Sequence, residues 1–213
     1  MTARIVPAGI GVAEAAIGDH SADLFPEEAA HIAKAVPKRR DEFSTGRVLA
    51  RRALRAVGGP AIAIPAGAHW APIWPTGFVG SITHSTLCAA AAVGRVEDFQ
   101  GIGIDLEIIS RVSMTFVPKI ATVQETELLH ASAEPIRHLA LLYSAKESWF
   151  KCQYPLTGAY LGFKDVVILL DWANGEFQVR STLDAKRSDF EQRTRGRFTF
   201  DDHHVATAAT LAR

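Results

Sequence analysis

The chain has 213 residues, of which 48% are hydrophobic and 22% charged, a composition that folds and argues against extended disorder. Twenty-three basic residues balance twenty-three acidic ones, so there is no basic excess to drive nucleic-acid binding by counterion release. Cys88 and Cys152 fit no metal-finger or redox-pair spacing, no run reaches the roughly eighteen apolar residues of a membrane span, and Met1 to Gly18 lacks a signal-peptide pattern. These features predict a reduced, cytoplasmic protein with no nucleic-acid partner and no stable membrane insertion.

Pro26-Glu27-Glu28 opens a predicted short helix running to Val36, with proline and acids in the first turn where the helix dipole favours them. A second helix is predicted over Asp41 to Val57. There Phe43, Gly46, Ala50, Ala53, Leu54 and Val57 share one face, and Gly58-Gly59-Pro60 stops it. Ile62 to Gly77 reads as a long irregular loop. Three strand candidates follow, Phe78–His84, Leu87–Val93 and Gly101–Ile108, and their short spacers predict an antiparallel meander. After a break at Ser110 to Pro118, helices are predicted over Thr122–Ser132 and Pro135–Gln153. Strands are then expected at Phe163–Leu170, Glu176–Leu183, Arg197–Phe200 and Val205–Leu211. Asn174-Gly175 signals a hairpin, since both residues tolerate positive φ. Asp184–Gly196 reads as a solvated helix or a mobile connection. The order of helix then meander occurs twice.

Chemistry concentrates in three segments. In Gly101-Ile-Gly-Ile-Asp-Leu-Glu107, alternation buries Ile102, Ile104, Leu106 and Ile108, which puts Gly103, Asp105 and Glu107 on the other face. Two carboxylates about 7 Å apart on one face repel unless they meet water or share a cation, and Mg²⁺ suits such oxygen donors. The bland reading is a solvent-facing strand. The glycines speak against it, because they weaken a strand unless something approaches its backbone closely.

On the helix Tyr143-Ser-Ala-Lys146-Glu147-Ser-Trp-Phe-Lys151, the lysine Lys146 falls inside the apolar stripe of Leu139, Leu142, Tyr143 and Phe150. Glu147 and Lys151 form either a surface i, i+4 ion pair or a metal ligand and a phosphate binder. Gly80-Ser-Ile-Thr83-His84 ends a strand on a histidine that is either structural or a phosphate contact. Arg47, Arg51 and Arg55 stand four apart without an interleaved acid. They are a solvated face, or a polyanion relieves their repulsion.

In order and spacing, four pieces resemble the 4′-phosphopantetheinyl transferases, in particular the group typified by enterobactin synthase component D. They are Gly46-Arg47…Ala50-Arg51…Ala53-Leu54, Trp74-Pro75-x-Gly77-x-x-Gly80-Ser-Ile-Thr-His84, Gly101-Ile-Gly-Ile-Asp105-Leu-Glu107 and Ser144-Ala-Lys146-Glu147-Ser-x-x-Lys151, across roughly residues 40–165. The resemblance implies an α+β, pseudo-duplicated fold of two similar halves, 1–110 and 111–213, each with a long helix on a small antiparallel sheet. It implies a Mg²⁺-dependent transfer of the phosphopantetheine arm of coenzyme A to a serine of an apo acyl, peptidyl or polyketide carrier protein. The implied setting is siderophore or secondary-metabolite biosynthesis, by a monomer.

Asp105, Glu107 and Glu147 would then carry the metal, and Glu147, Lys151 and His84 would be catalytic. Arg47, Arg51, Arg55, Thr83, His84, Lys151 and Leu161 would contact coenzyme A, with Lys146 as support. Members often carry a basic residue just before the Trp-Pro segment, where this chain has His69-Trp70-Ala71. Two alternatives remain at this stage. One is a catalytically idle coenzyme A or carrier-binding protein of the same fold. The other is a Mg²⁺-dependent nucleotide hydrolase, though no Walker-type lysine loop is present.

Overall fold

The computed structural model describes residues 1–182 and 188–213. In the N-terminal half, helix α1 (Pro26–Ala29) leads to the 20-residue helix α2 (Pro37–Ala56). Helix α2 lies on an antiparallel sheet of order β1–β3–β2, made of β1 (Gly11–Ala16), β2 (Phe78–His84) and β3 (Cys88–Arg95). Strand β4 (Phe99–Ile108) then crosses to a second sheet. Short helices α3 (Val117–Ile120) and α4 (Val123–His130) precede the 23-residue helix α5 (Pro135–Thr157). Strands β5 (Val166–Asp171), β6 (Glu176–Ser181), β7 (Thr194–Phe200) and β8 (His204–Ala212), with helix α6 (Ser188–Arg193), complete an antiparallel sheet of order β4–β8–β7–β6–β5. The expected α+β architecture forms, with one long helix on each sheet. Among the described residues no helix is long and apolar enough to cross a membrane.

Apolar packing fixes three layers. Leu49, Ala50, Ala53 and Leu54 of α2 bury against Ala89, Ala91 and Val93. Leu139, Leu142, Ala145 and Trp149 of α5 bury against Ile168, Phe177, Val205 and Leu211. Between the sheets, Ile102, Ile104 and Leu106 meet Ala90, Ala92, Ala206 and Ala208. Each large aliphatic side chain removed from water contributes about 1.5–3 kcal/mol. The alanines of β3 let α2 sit close.

Several elements depart from expectation for local reasons. The three-strand meander does not form, because β1 and β2 occupy both edges of β3; β4 therefore pairs with β8. Helix α2 begins at Pro37, whose missing N–H costs nothing at the first helical position. The helix at Pro26 turns 3₁₀ at Ala30–Ile32 and stops short of Val36. Phe163–Asp165 is likewise a 3₁₀ turn ahead of β5. The β5–β6 connection spans Trp172–Gly175; only Gly175 takes positive φ (65°), while the Asn174 amide donates to Asp171 Oδ2 at 2.7 Å. Leu183 and residues 184–187 of the expected connection lie outside the described residues.

The two glycines of β4 explain its contact with α5. A Cβ at Gly103 would lie 1.8 Å from the Ser148 carbonyl oxygen, and one at Gly101 would lie 2.5 Å from that of Cys152. What approaches the strand so closely is the helix backbone itself, and this contact brings Glu147 and Lys151 over Asp105. At the junction of the sheets, the Ile104 N–H donates to Ser81 Oγ at 3.2 Å and Thr83 Oγ1 donates to Asp105 Oδ1 at 3.1 Å.

Candidate active site

Asp105 and Glu107 share the β4 face covered by α5, so the solvent-facing reading fails: Asp105 is 4% exposed and Glu107 half-buried. Lys151 does not close the four-residue pair with Glu147. Its ammonium crosses to Asp105 Oδ1 at 2.7 Å, and also donates to Ile104 O at 3.2 Å and Thr83 Oγ1 at 3.4 Å. Asp105 thus pairs with the ammonium, and the charges of Glu147 and Glu107 act on it as well. Burial, then Asp105 and Glu147, push Glu107 up to about 7. Burial raises Glu147 as well, against the attraction of Lys151 and with Asp105 adding to the rise. Burial alone would lower Lys151, but the attraction of Asp105, Glu147 and Glu107 outweighs it and the ammonium is held tightly protonated.

The donor set fits a hard divalent cation. Asp105 Oδ2 is buried with no hydrogen-bond partner, and hard oxygen ligands with excess negative charge are what Mg²⁺ selects. Among the described residues no three acidic, histidine or cysteine groups converge tightly enough to enclose a metal, and the Lys151 ammonium stands against Asp105.

The α2 side of the site holds the basic groups. Arg47 is 5% exposed, its guanidinium lies 4.4 Å from the Phe43 ring centroid, and its buried Nε has no partner. Burial first, then Arg39 and Arg51, depress it to about 10 against the pull of Glu28. Arg51 is committed elsewhere: it pairs with the fully buried Glu28 and donates to Asp23 O at 2.6 Å. Glu28 in turn accepts the Ile64 N–H, so α1 relieves the repulsion expected along the stripe. Arg55 is exposed, eight residues and about 12 Å along the axis beyond Arg47.

Sequence reasoning missed Arg39 and Glu42. Arg39 lies 3.4 Å from His84 Nε2 and 5.2 Å from the Trp70 ring centroid, and Glu42 is 9% exposed beside it. The signal was present, since Arg39, Phe43 and Arg47 are spaced four apart on one helical face. Burial, Arg39 and Lys151 depress His84, partly offset by Glu42. His69 and Trp70 both adopt positive φ, 53° and 64°, a strained conformation for non-glycine residues.

Lys146 is a structural node. Its ammonium donates to Glu125 Oε2 (2.6 Å), Phe163 O (2.8 Å) and Ile120 O (2.9 Å), which uses all three protons, and it is 2% exposed. Glu125 closes the capping box of α4 with Thr122 and accepts the Ile168 N–H.

A cleft of about 520 Å³ opens beside Glu107, walled also by Glu42, His84, Arg111, Phe116 and Tyr143. A smaller cavity of about 260 Å³ adjoins Glu147 and is lined by Phe150, Tyr160 and Leu161. The larger cavity of about 550 Å³ lies on the open face of β5–β7, away from these groups.

Comparison with known proteins gives the family. The family model for the 4′-phosphopantetheinyl transferase N-terminal domain matches residues 27–94, and that for the 4′-phosphopantetheinyl transferase superfamily matches residues 101–208. The chain is 41% identical over 198 residues to the 4′-phosphopantetheinyl transferase Svp of Streptomyces mobaraensis, covering 89% of this chain and 79% of that protein. It is 35% identical over 195 residues to PptT of Mycobacterium tuberculosis, covering 88% and 86%. Among solved structures, the holo-[acyl-carrier-protein] synthase of Thermotoga maritima aligns with 54% of this chain and 65% of its own at a TM-score of 0.44 and 25% identity. The chain belongs to the 4′-phosphopantetheinyl transferase superfamily and is an enzyme of that class.

Proposed function

We propose that the site transfers the phosphopantetheine arm of coenzyme A to a serine hydroxyl of apo acyl or peptidyl carrier proteins, with adenosine 3′,5′-bisphosphate as the other product, and that the enzyme acts as a cytoplasmic monomer. The observation that supports this reading is the Lys151–Asp105 pair with the charges of Glu107 and Glu147 acting on it, together with a buried Arg47 whose Nε has no partner. Asp105, Glu107 and Glu147 would hold Mg²⁺, which when bound supplies charge neutralisation to the pyrophosphate.

Glu147 accepts the serine proton. A carboxylate raised toward neutrality by burial is a better base than a solvated one. Lys151 leaves Asp105 to hold a phosphate oxygen and the developing charge on the leaving group. Thr83 and His84, at the end of β2, contact the pyrophosphate beside it, with Arg39 behind the imidazole. Arg47 takes the 3′-phosphate, where a charge-assisted bond to its free Nε satisfies a buried donor. The geometry supports Arg47 for this role over Arg51, held by Glu28, and over the exposed Arg55. Leu161 walls the apolar arm beside Glu147. The carrier approaches over Ser110 to Val123, where Arg111 and Phe116 border the cleft and are exposed.

The test is incubation with coenzyme A, Mg²⁺ and apo carriers of several classes, read by intact-mass spectrometry, with an EDTA arm. Gain of the arm by at least one carrier, lost with EDTA, is expected. No gain on any carrier would refute the transfer, and an undiminished rate in EDTA would refute the metal assignment.

A further inference from the structure

On the opposite side of β4 from the transfer site, Leu106 lines a separate cavity of about 280 Å³ with Glu14, Ala15, Cys88, Asp201 and His204. Three of these groups form a chain. His204 Nδ1 lies 3.4 Å from Asp201 Oδ1, and His204 Nε2 lies 3.9 Å from Cys88 Sγ. Asp201 Oδ1 is fixed by the His203 and His204 backbone N–H groups at 2.8 and 2.7 Å, and His204 is 9% exposed. In the tautomer whose Nδ1 proton is directed to the carboxylate, the imidazole presents the Nε2 lone pair to the thiol. This order of carboxylate, imidazole and nucleophile lets a base take a proton as the nucleophile attacks. None of these residues takes part in the transfer reaction.

We propose that Cys88, with His204 as its base and Asp201 orienting that base, is a thiol–disulfide exchange site that accepts small neutral or cationic disulfides. Exchange needs a nucleophilic sulfur, a proton acceptor and space for the second disulfide sulfur, and the cavity supplies all three. Cys88 Sγ bonds to one sulfur of the disulfide, the S–S bond breaks, and the departing thiolate takes the proton that His204 Nε2 removed from Cys88. The mixed disulfide and one free thiol are the products, with no other oxidant. Glu14 and Asp201 set the charge preference; the Met1 amino group at 2.5 Å offsets part of the Glu14 charge. Burial and these two carboxylates hold the Cys88 thiol up, so it reacts through the local base rather than as a standing thiolate. Cys152, wholly buried and pushed up to about 12, is the internal reference.

The experiment treats the full chain with cystamine, a dication, and with 5,5′-dithiobis(2-nitrobenzoate), a dianion. Adducts are timed by intact mass and mapped by peptide digestion, with the urea-unfolded chain as the chemical baseline. Expected is a single adduct at Cys88 in the folded protein and a cystamine-to-dianion rate ratio about tenfold or more above the unfolded ratio. His204→Gln, checked for an unchanged thermal midpoint, should slow the cystamine reaction by a similar or larger factor. A folded ratio equal to the unfolded one overturns the proposal, as does equal labelling of Cys152 or no labelling at all. These readouts hold with wild-type protein, so a poorly folding His204 variant does not blunt them.

Discussion

Lys151 Nζ on α5 bonds Asp105 Oδ1 on β4 at 2.7 Å, while Asp105 Oδ2, buried beside it, has no partner. An ammonium therefore fills one side of a carboxylate cluster whose charge calls for more cation than a single lysine provides. A metal held as proposed would share the Asp105 carboxylate with the lysine. Lys151→Met is expected to tighten Mg²⁺ or Mn²⁺ binding in the absence of coenzyme A by about tenfold, about 1.4 kcal/mol, while weakening coenzyme A itself. Calorimetric titration measures both. The metal-free variant should melt earlier, because Asp105 loses its buried counter-charge, and metal should restore the midpoint. Unchanged or weaker metal affinity would show that Lys151 is a passive neighbour.

The strain in this cluster has a pH signature. Glu107 sits at about 7 instead of the ordinary 4.5, through burial first and its two acidic neighbours second. A raised carboxylate contributes its full stability below the unfolded value, and that contribution is lost as pH rises through about 7. Glu107→Gln cannot ionise, so the metal-free variant should be more stable than wild type at pH 8 and show little advantage at pH 4. Discounted for partial exposure, the gain is about 1–2 kcal/mol, or about 2–8 °C in midpoint. Thermal melts at the two pH values check this, and a variant less stable at pH 8 would contradict it. Turnover should fall at the same time if Glu107 holds the metal as proposed.

Arg47 and Arg51 are one helical turn apart and are expected to fail differently. Arg47→Ala should weaken coenzyme A by about 1.5–3 kcal/mol and leave 3′-dephospho-coenzyme A nearly untouched, since the dephospho ligand has no partner for the guanidinium. Arg51→Ala should leave that discrimination alone but strand the buried Glu28 carboxylate, costing about 3–5 kcal/mol of stability. Equal losses for both ligands in the Arg47 variant would make Arg47 structural too.

Local patterning made the site's core legible. The alternation at Ile102–Ile108 and the paired glycines specified a strand face that something must approach closely, and α5 is what approaches. The position of Lys146 inside an apolar stripe marked it as no ordinary surface lysine, but that it is buried against Glu125 as a structural node was not legible. Its partner Glu125 is 21 residues away and was invisible, because helical spacing says nothing about contacts between elements. The same limit hid Glu28 as the partner of Arg51. Strand order failed for a related reason: Gly11–Ala16 is alanine-rich, with weak β-propensity, yet tertiary pairing places it on β3 and thereby expels β4 into the other sheet.

Glu147→Gln tests whether Glu147 is the base of the transfer. Glu147 is half-buried and shifted up by burial, with Lys151 pulling the other way and Asp105 adding to the rise, and the Lys151 ammonium bonds Asp105 instead of closing the four-residue pair. Glu147→Gln keeps volume, one carbonyl oxygen and helix propensity, but it can neither take the serine proton nor lend full charge to a cation. Coenzyme A binding should persist while carrier modification falls by about 10²–10⁴-fold, the usual cost of removing a general base. Loss of a surface ion pair costs at most about 1 kcal/mol and cannot produce such a drop. The measurement is the carrier modification rate beside coenzyme A affinity and thermal midpoint for the same preparation. Because the substitution removes a raised carboxylate, the midpoint near pH 8 should hold or rise. A variant that binds and melts normally yet modifies its carrier at a near-normal rate would remove Glu147 from the chemistry.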